Sequence, residues 1–318
     1  MKITQLKGGS LSSTSLYEDG DRKFIRKSIS TKDNREYGYV RWYSQLKKLQ
    51  RFAETGLYPK VLKVGTTDNG AYFDIEYLKG YRDIKIILSE DKLTENQIEK
   101  IHDAMMWSFD NLHRKMYIPN PGGPKLYFKE EVTQKLSDAF KYPTFYNFYE
   151  LGTLNTFEYN GQITHGIQNF LPELKNFFDE MELVTEENIH GNPTLENMMY
   201  SFEEDKVIFI DPYEESIIDS RLLDYSQVLQ CSRSHYGFIN DRFVIIDGSS
   251  VSHNLEIPNN LKVFNKIFES RLEHKQIIDV LEATQFIRML PFKCRAGEVN
   301  KAKFFYVKAC NLLGKVLS

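Results

Sequence analysis

The stretch His190-Gly191-Asn192-Pro193-Thr194-Leu195-Glu196-Asn197, together with the residues running on to Ile210-Asp211-Pro212, constrains this chain more than any other segment. Met198-Met199-Tyr200 and Val207-Ile208-Phe209-Ile210 flank the polar turn Glu203-Glu204-Asp205-Lys206, a pattern that predicts a β-hairpin. Residues able to do chemistry sit at its two ends: His190, Asn192 and Asn197 before it, Asp211 after it. At 318 residues, 41% of them hydrophobic, the chain is long enough for one two-lobed domain or two compact ones.

Phosphoryl transfer needs a carboxylate beside the acceptor hydroxyl, an amide oxygen on one magnesium ion, and a carboxylate bridging metal and nucleotide phosphates. The kinase catalytic loop spaces its base and its asparagine as D-x-x-x-x-N. Asn192 to Asn197 keeps that spacing, with an amide where the carboxylate belongs. On these residues the chain resembles the aminoglycoside phosphotransferase and choline kinase superfamily, whose loop begins H-G-D or H-N-D. The resemblance implies a general-base position at Asn192, in a motif opened by His190, and metal ligands at Asn197 and Asp211. It also implies a structural aspartate at Asp224, in Arg221-Leu222-Leu223-Asp224-Tyr225. In wording, the match is closest to phosphotransferases of bacterial surface (capsular) polysaccharide gene clusters, which share HGDP, IDP, LxDYSQ and RMLP. The last of these is Arg288-Met289-Leu290-Pro291 here. Implied with the family are a protein-kinase-like α+β fold and two lobes, a small strand-rich one (residues 1–80) and a larger helical one (81–318). ATP and Mg2+ would be its cofactors, with ligands held in a cleft between the lobes.

The N-terminal third fits that expectation. Gly8-Gly9-Ser10-Leu11-Ser12-Ser13-Thr14-Ser15 precedes two alternating strands joined at Asp19-Gly20-Asp21. Small residues let backbone approach phosphate oxygens, so Gly9, Ser10, Ser12 and Ser13 are candidates for a phosphate cradle. The segment lacks the Lys-Ser/Thr ending of a P-loop and the full G-x-G-x-x-G, and a plain turn is the competing reading. Alternation in Phe24-Ile25-Arg26-Lys27 puts Ile25 and Lys27 on one face. Ile25 is thereby a candidate adenine contact and Lys27 a candidate ligand of the α- and β-phosphates; a solvated edge-strand lysine is the plain alternative. Glu36 opens a helical stretch through Tyr43, Leu46 and Leu49 and is the expected ion-pair partner of Lys27, with Glu54 as alternative. Lys60–Val64 and Ala71–Glu76 read as strands around Asp68-Asn69-Gly70. The second runs into Glu76-Tyr77-Leu78-Lys79-Gly80, where Glu76, Tyr77 and Leu78 are expected to offer hinge backbone to the adenine edge.

The net charge of −3, without a long block of like charge, argues against a nucleic-acid partner. Cys231, Cys294 and Cys310 are few and unpatterned, which predicts neither a disulfide framework nor a zinc site and suits a reducing cytoplasm. Residues 1–7 lack the apolar core of a signal peptide, and no run approaches the ~18 apolar residues of a membrane span. A cytoplasmic protein with a small-molecule partner is the expectation.

Beyond residue 80, Thr94-Glu95-Asn96-Gln97 has the form of a capping box. A helical stripe comes next at Ile98, Ile101, Met105, Phe109, Leu112 and Met116, with Trp107 and the methionines as core and His102 and His113 as structural or surface residues. Pro119-Asn120-Pro121-Gly122-Gly123-Pro124 interrupts the helical region. Further helices are predicted near 131–142, 166–182, 225–230, 259–282 and 300–317, with a turn at Asp247-Gly248-Ser249-Ser250. The aromatic-dense stretch 142–157 either lines a pocket or packs.

Asn192 divides the functional readings. An amide can hydrogen-bond an acceptor hydroxyl but cannot take its proton, and losing a general base costs about two to four orders of magnitude in rate. A single isosteric replacement of aspartate in an otherwise complete site accounts for this better than a natural pseudokinase, which tends to lack lysine or metal ligands too. Three functions are compatible with these residues. One is an ATP-dependent kinase that transfers the γ-phosphate to a hydroxyl of a sugar or glycan precursor. The second is a choline- or aminoglycoside-type amino-alcohol kinase, and the third a non-catalytic nucleotide-binding pseudokinase. Arg288, with Lys293 and Arg295, favours a sugar phosphate or other anionic acceptor; a structural ion pair accounts for Arg288 equally well.

Overall fold

The computed structural model describes residues 2–6, 12–30, 37–90, 92–113, 115–120, 122–154, 156–186, 188–213, 215–240 and 244–317. Contacts divide the chain into two units, Met1–Leu112 with His190–Ser216, and His113–Ile189 with Ile217–Ser318.

The first unit is built on an antiparallel sheet of β1 (Lys2–Leu6), β2 (Ser13–Asp19), β3 (Arg22–Ser30), β4 (Val61–Thr67) and β5 (Gly70–Glu76), in the order β1-β2-β3-β5-β4. Helix α1 (Tyr37–Arg51) buries Trp42, Leu46 and Leu49. The Trp42 ring lies 5.3 Å from that of Phe73 on β5, and its indole N–H donates to the Lys27 carbonyl at 3.3 Å. Along β3 the side chains alternate. Lys27 and Ile29 are buried, whereas Arg26 pairs with Asp74 (2.6 Å) and lies 3.9 Å over the Tyr72 ring. β1 has no counterpart in the sequence reading, because its residues are exposed along most of an edge strand and carry no apolar alternation.

Three elements come next: the short β6 (Arg82–Asp83) and α2 (Ile84–Glu90), and the 18-residue α3 (Glu95–Leu112). Asp83 accepts from the Ile86 N–H at 2.6 Å and so caps α2; burial raises its pKa above the ordinary carboxylate value, against that hydrogen bond. The capping box of α3 forms reciprocally, with Gln97 N–H on Thr94 Oγ1 (3.3 Å) and Thr94 N–H on Gln97 Oε1 (2.9 Å). Ile98, Ile101, Met105, Phe109 and Leu112 are buried as the stripe requires. Two expectations fail here. The helix stops at Leu112, and Met116 lies in the strand Lys115–Pro119, whose backbone pairs with Val184–Glu186. Trp107, off the stripe, is 55% exposed rather than core.

In the second unit the helices Lys275–Arg295 and Val299–Val316 pack on each other and bury Phe286, Ile287 and Leu290 with Phe304 and Phe305. The helix Arg221–Ser232 also packs on Lys275–Arg295, and Pro291 is accommodated inside that helix. The stretch 259–282 is not one helix: Asn259–Ser270 ends before a break at His274, whose φ is +53°. The aromatic-dense segment packs, with Phe145, Phe148 and Phe157 buried against the ring of Tyr306. Ile245–Asp247 and Ser250–Ser252, flanking the expected turn, join Phe157–Tyr159 and Gln162–Thr164 in a four-stranded sheet. All three cysteines are buried free thiols. Among the described residues no helix is long and apolar enough to cross a membrane.

Two buried polar clusters hold this unit. His113 Nε2 lies 2.8 Å from Asp224 Oδ2, both fully buried, while Arg221 pairs with Glu186 (2.6 Å) and donates to the His113 carbonyl (3.1 Å). Arg233 donates to Glu269 (3.0 Å), Asp279 (2.6 Å) and the fully buried Glu282, which also accepts from Ser234 Oγ. Burial works against the Arg233 charge, but Glu282 and Asp279 hold its pKa above the ordinary value.

Candidate active site

The predicted hairpin forms within the first unit, with Met198–Ser201 pairing antiparallel to Lys206–Phe209 in the register Met198↔Phe209, and with Met199 and Tyr200 pairing to β6. The ladder runs one step further, since the Ile210 N–H donates to the Asn197 carbonyl at 2.9 Å. Asn197 and Asp211 are thereby brought to the same end. Asp211 has φ +55°, a left-handed conformation that Asp tolerates better than most residues. Its carboxylate is reached by the ammonium of Lys27.

His190 organises the preceding loop. Its Nε2 faces the Ile210 carbonyl at 2.9 Å and its Nδ1 accepts from the Asn192 N–H at 3.1 Å. Those roles define the neutral tautomer with the proton on Nε2. The ring is fully buried, 6.1 Å from Tyr58 and 5.3 Å from Phe209 between centroids. His190 therefore positions the loop from beneath. The Asn192 carbonyl accepts from the Thr194 N–H and from Asn197 Nδ2, both at 2.9 Å. With its nitrogen committed, the Asn197 amide has Oδ1 left to offer. The half-exposed Asn192 side chain makes no hydrogen bond among the described residues.

Gly191 shapes the bend. Its φ is +80°, and a Cβ there would lie 2.5 Å from the Tyr213 carbonyl oxygen and 3.0 Å from Ser216 Oγ. Gly191→Ala is expected to lower stability by about 1–3 kcal/mol, seen as a lower urea midpoint at unchanged slope.

Lys27 stands opposite Thr14 on β2 and Phe73 on β5, and donates to Gln45 Oε1 on α1 at 3.1 Å as well as to Asp211. Gly9, Ser10 and Glu36 lie outside the described residues. Ser12 is half-buried, and Ser13 opens β2 opposite Ser28. Half-buried Ile25 sits in register between Leu16 and Ile75. Lys23, on the same strand as Lys27, pairs with Glu18, and Glu54 is exposed in the turn Ala53–Thr55. At the expected hinge, the Glu76 carboxylate accepts from the Lys60 N–H (2.8 Å), Tyr77 is 40% exposed and the Leu78 carbonyl accepts from the Tyr81 N–H. In the second unit, Arg288 donates to Glu131 and Gln285, both at 2.8 Å, and Lys293 pairs with Glu298. The structural alternative for Arg288 is thus the arrangement observed. Gln45 escaped sequence reading; its one signal was a polar position beside the apolar stripe of α1 at Trp42, Leu46 and Leu49.

The donor set suits a hard cation. Asn197 Oδ1 and the Asp211 carboxylate offer oxygen donors, and Mg2+ sites characteristically use one or two protein ligands completed by water and substrate phosphates. Among the described residues no group of three or more His, Cys, Asp or Glu side chains gathers to hold a metal without such help.

Neither the known protein-family profiles nor the curated protein sequences give a match to this chain. Solved structures do. One is spectinomycin phosphotransferase APH(9)-Ia, in complex with ADP and spectinomycin, with a TM-score of 0.51 and 9% identity. The superposition covers 98% of this chain and 93% of that one. The fold is therefore kinase-like, with a strand-rich N-terminal lobe and a helical C-terminal lobe, as the sequence led us to expect.

Proposed function

We propose that this chain is the scaffold of an ATP- and Mg2+-dependent small-molecule kinase, with Asn192 in the place of the general base. The observation that carries the reading is the meeting of Lys27 from β3 with Asp211 from the hairpin end, beside an Asn197 amide whose oxygen remains available. Residues 1–80 would carry the nucleotide, with Ile25 and the backbone of Glu76, Tyr77 and Leu78 around adenine. Residues 81–318 would supply the catalytic loop, metal ligands and acceptor site. Lys27 holds phosphate oxygens by charge-assisted hydrogen bonds. Asn197 and Asp211 would hold Mg2+, which supplies charge neutralisation between the phosphates. Asn192 orients the acceptor hydroxyl without removing its proton.

The ADP and spectinomycin bound by the structural neighbour support nucleotide use and a small-molecule acceptor. The motifs shared with capsular-polysaccharide phosphotransferases favour a sugar or glycan-precursor hydroxyl in a cytoplasmic setting. An anionic acceptor at Arg288 would have to compete with Glu131. Amino alcohols are the second acceptor class to test. Thermal melting with ATP and Mg2+ should show stabilisation of about 2.7 kcal/mol at one hundred times Kd, with most of the Mg2+ dependence lost in Asp211→Ala. No shift at millimolar ATP and Mg2+ would overturn the nucleotide reading.

A further inference from the structure

The metal-loop end of the hairpin is gripped by one face of α1. Gln45 accepts from Lys27 Nζ (3.1 Å) and donates through Nε2 to the Pro212 carbonyl (3.3 Å). One turn on, the buried Lys48 donates to the Tyr213 carbonyl (3.0 Å), and one turn back Arg41 lies 5.0 Å over the Tyr213 ring. Residues 41, 45 and 48 share a helix face. We propose that Gln45 is a positioning residue that locks Lys27 and the Asp211-Pro212 backbone into one unit, and that an amide is required there. The proposal rests on the nucleotide reading above and adds to it a residue that the motifs do not contain.

The reason is donor and acceptor count. Gln45 accepts on one side and donates on the other, so it can bond a cation and a carbonyl at once. A carboxylate could accept from Lys27 but would face the Pro212 carbonyl oxygen with no proton to donate. It would also add a negative charge beside the Lys27–Asp211 pair and compete with Asp211 for the ammonium. The amide leaves the Lys27 charge for Asp211 and for arriving phosphates, and it braces the strained backbone at Asp211.

The test compares ATP affinity with and without Mg2+ in the full chain and in Gln45→Leu and Gln45→Glu. Coupling of Lys27 to the metal loop should appear as a loss, ~10-fold in both variants, of the gain in ATP affinity that Mg2+ confers. A purely structural defect would instead lower melting temperature and leave that gain intact. If Gln45→Leu fails to fold, the polar isostere Gln45→Glu decides alone. A Mg2+ gain within about two-fold of the parent in Gln45→Glu overturns the requirement for an amide. The same result in Gln45→Leu overturns the positioning role. Absence of Mg-ATP binding by the unaltered chain defeats the nucleotide reading and this proposal together; normal binding there with unaffected variants defeats this proposal alone.

Discussion

Asn192→Asp is expected to raise γ-phosphate transfer by about two to four orders of magnitude, with nucleotide affinity and stability nearly unchanged. The loop does not depend on the side chain being an amide. Its backbone is fixed by the Asn192 N–H on His190 and by two donors on the Asn192 carbonyl. Asp and Asn are nearly isosteric, and the Asn197–Asp211 end of the hairpin is held by the ladder at Ile210. The gain should therefore appear in kcat, because the new carboxylate acts on the acceptor hydroxyl rather than on ATP. Transfer to panels of sugars and amino alcohols, with slow ATP hydrolysis as fallback, is the measurement. A variant that binds Mg-ATP and stays inactive across both panels would leave the nucleotide-binding pseudokinase as the reading. Equal activity in the unaltered chain would remove position 192 from the role of base.

The largest stability effect is expected far from that loop. Arg233→Met should cost about 3–5 kcal/mol, because it strands the fully buried Glu282 together with Asp279 and Glu269. Urea unfolding measures the loss. Glu282→Gln placed on top of Arg233→Met should recover part of it, since the penalty comes from uncompensated charge rather than lost packing. A double variant no more stable than Arg233→Met would assign the loss to packing instead.

The range over which each signal acts decides how much of the fold and the site was legible in the sequence. The hairpin was readable because short apolar runs flank a polar turn, and the α3 capping box because Thr94 and Gln97 sit three residues apart. Alternation along β3 put Ile25 and Lys27 on one face, but that Lys27 is buried there depends on α1 and Asp211, which strand period alone does not reveal. β1 was invisible because an exposed edge strand needs no apolar pattern. Met116 fell on a helical period by chance, and long-range pairing of Lys115–Pro119 with Val184–Glu186 overrode it. Gln45 was missed for a related reason. Its two partners, Lys27 and Pro212, come from opposite ends of the unit, and no local spacing announces such a bridge.

The way the first unit is assembled bears on how the chain is made. β6 pairs with Met199 and Tyr200, and the Leu57 carbonyl accepts from the Phe209 N–H, so β6 and the segment at Leu57 wait for a hairpin made much later. On a ribosome, everything between residues 113 and 189 must emerge before Asp211 can reach Lys27. At about 5–20 residues per second, that leaves the first unit, though not its five-stranded sheet, incomplete for several seconds. Throughout that interval the buried Lys27 side chain lacks its carboxylate, and Leu57 lacks its donor. A nascent chain stalled near residue 190 should therefore be protease-sensitive in its N-terminal third, and one released beyond residue 216 should be resistant.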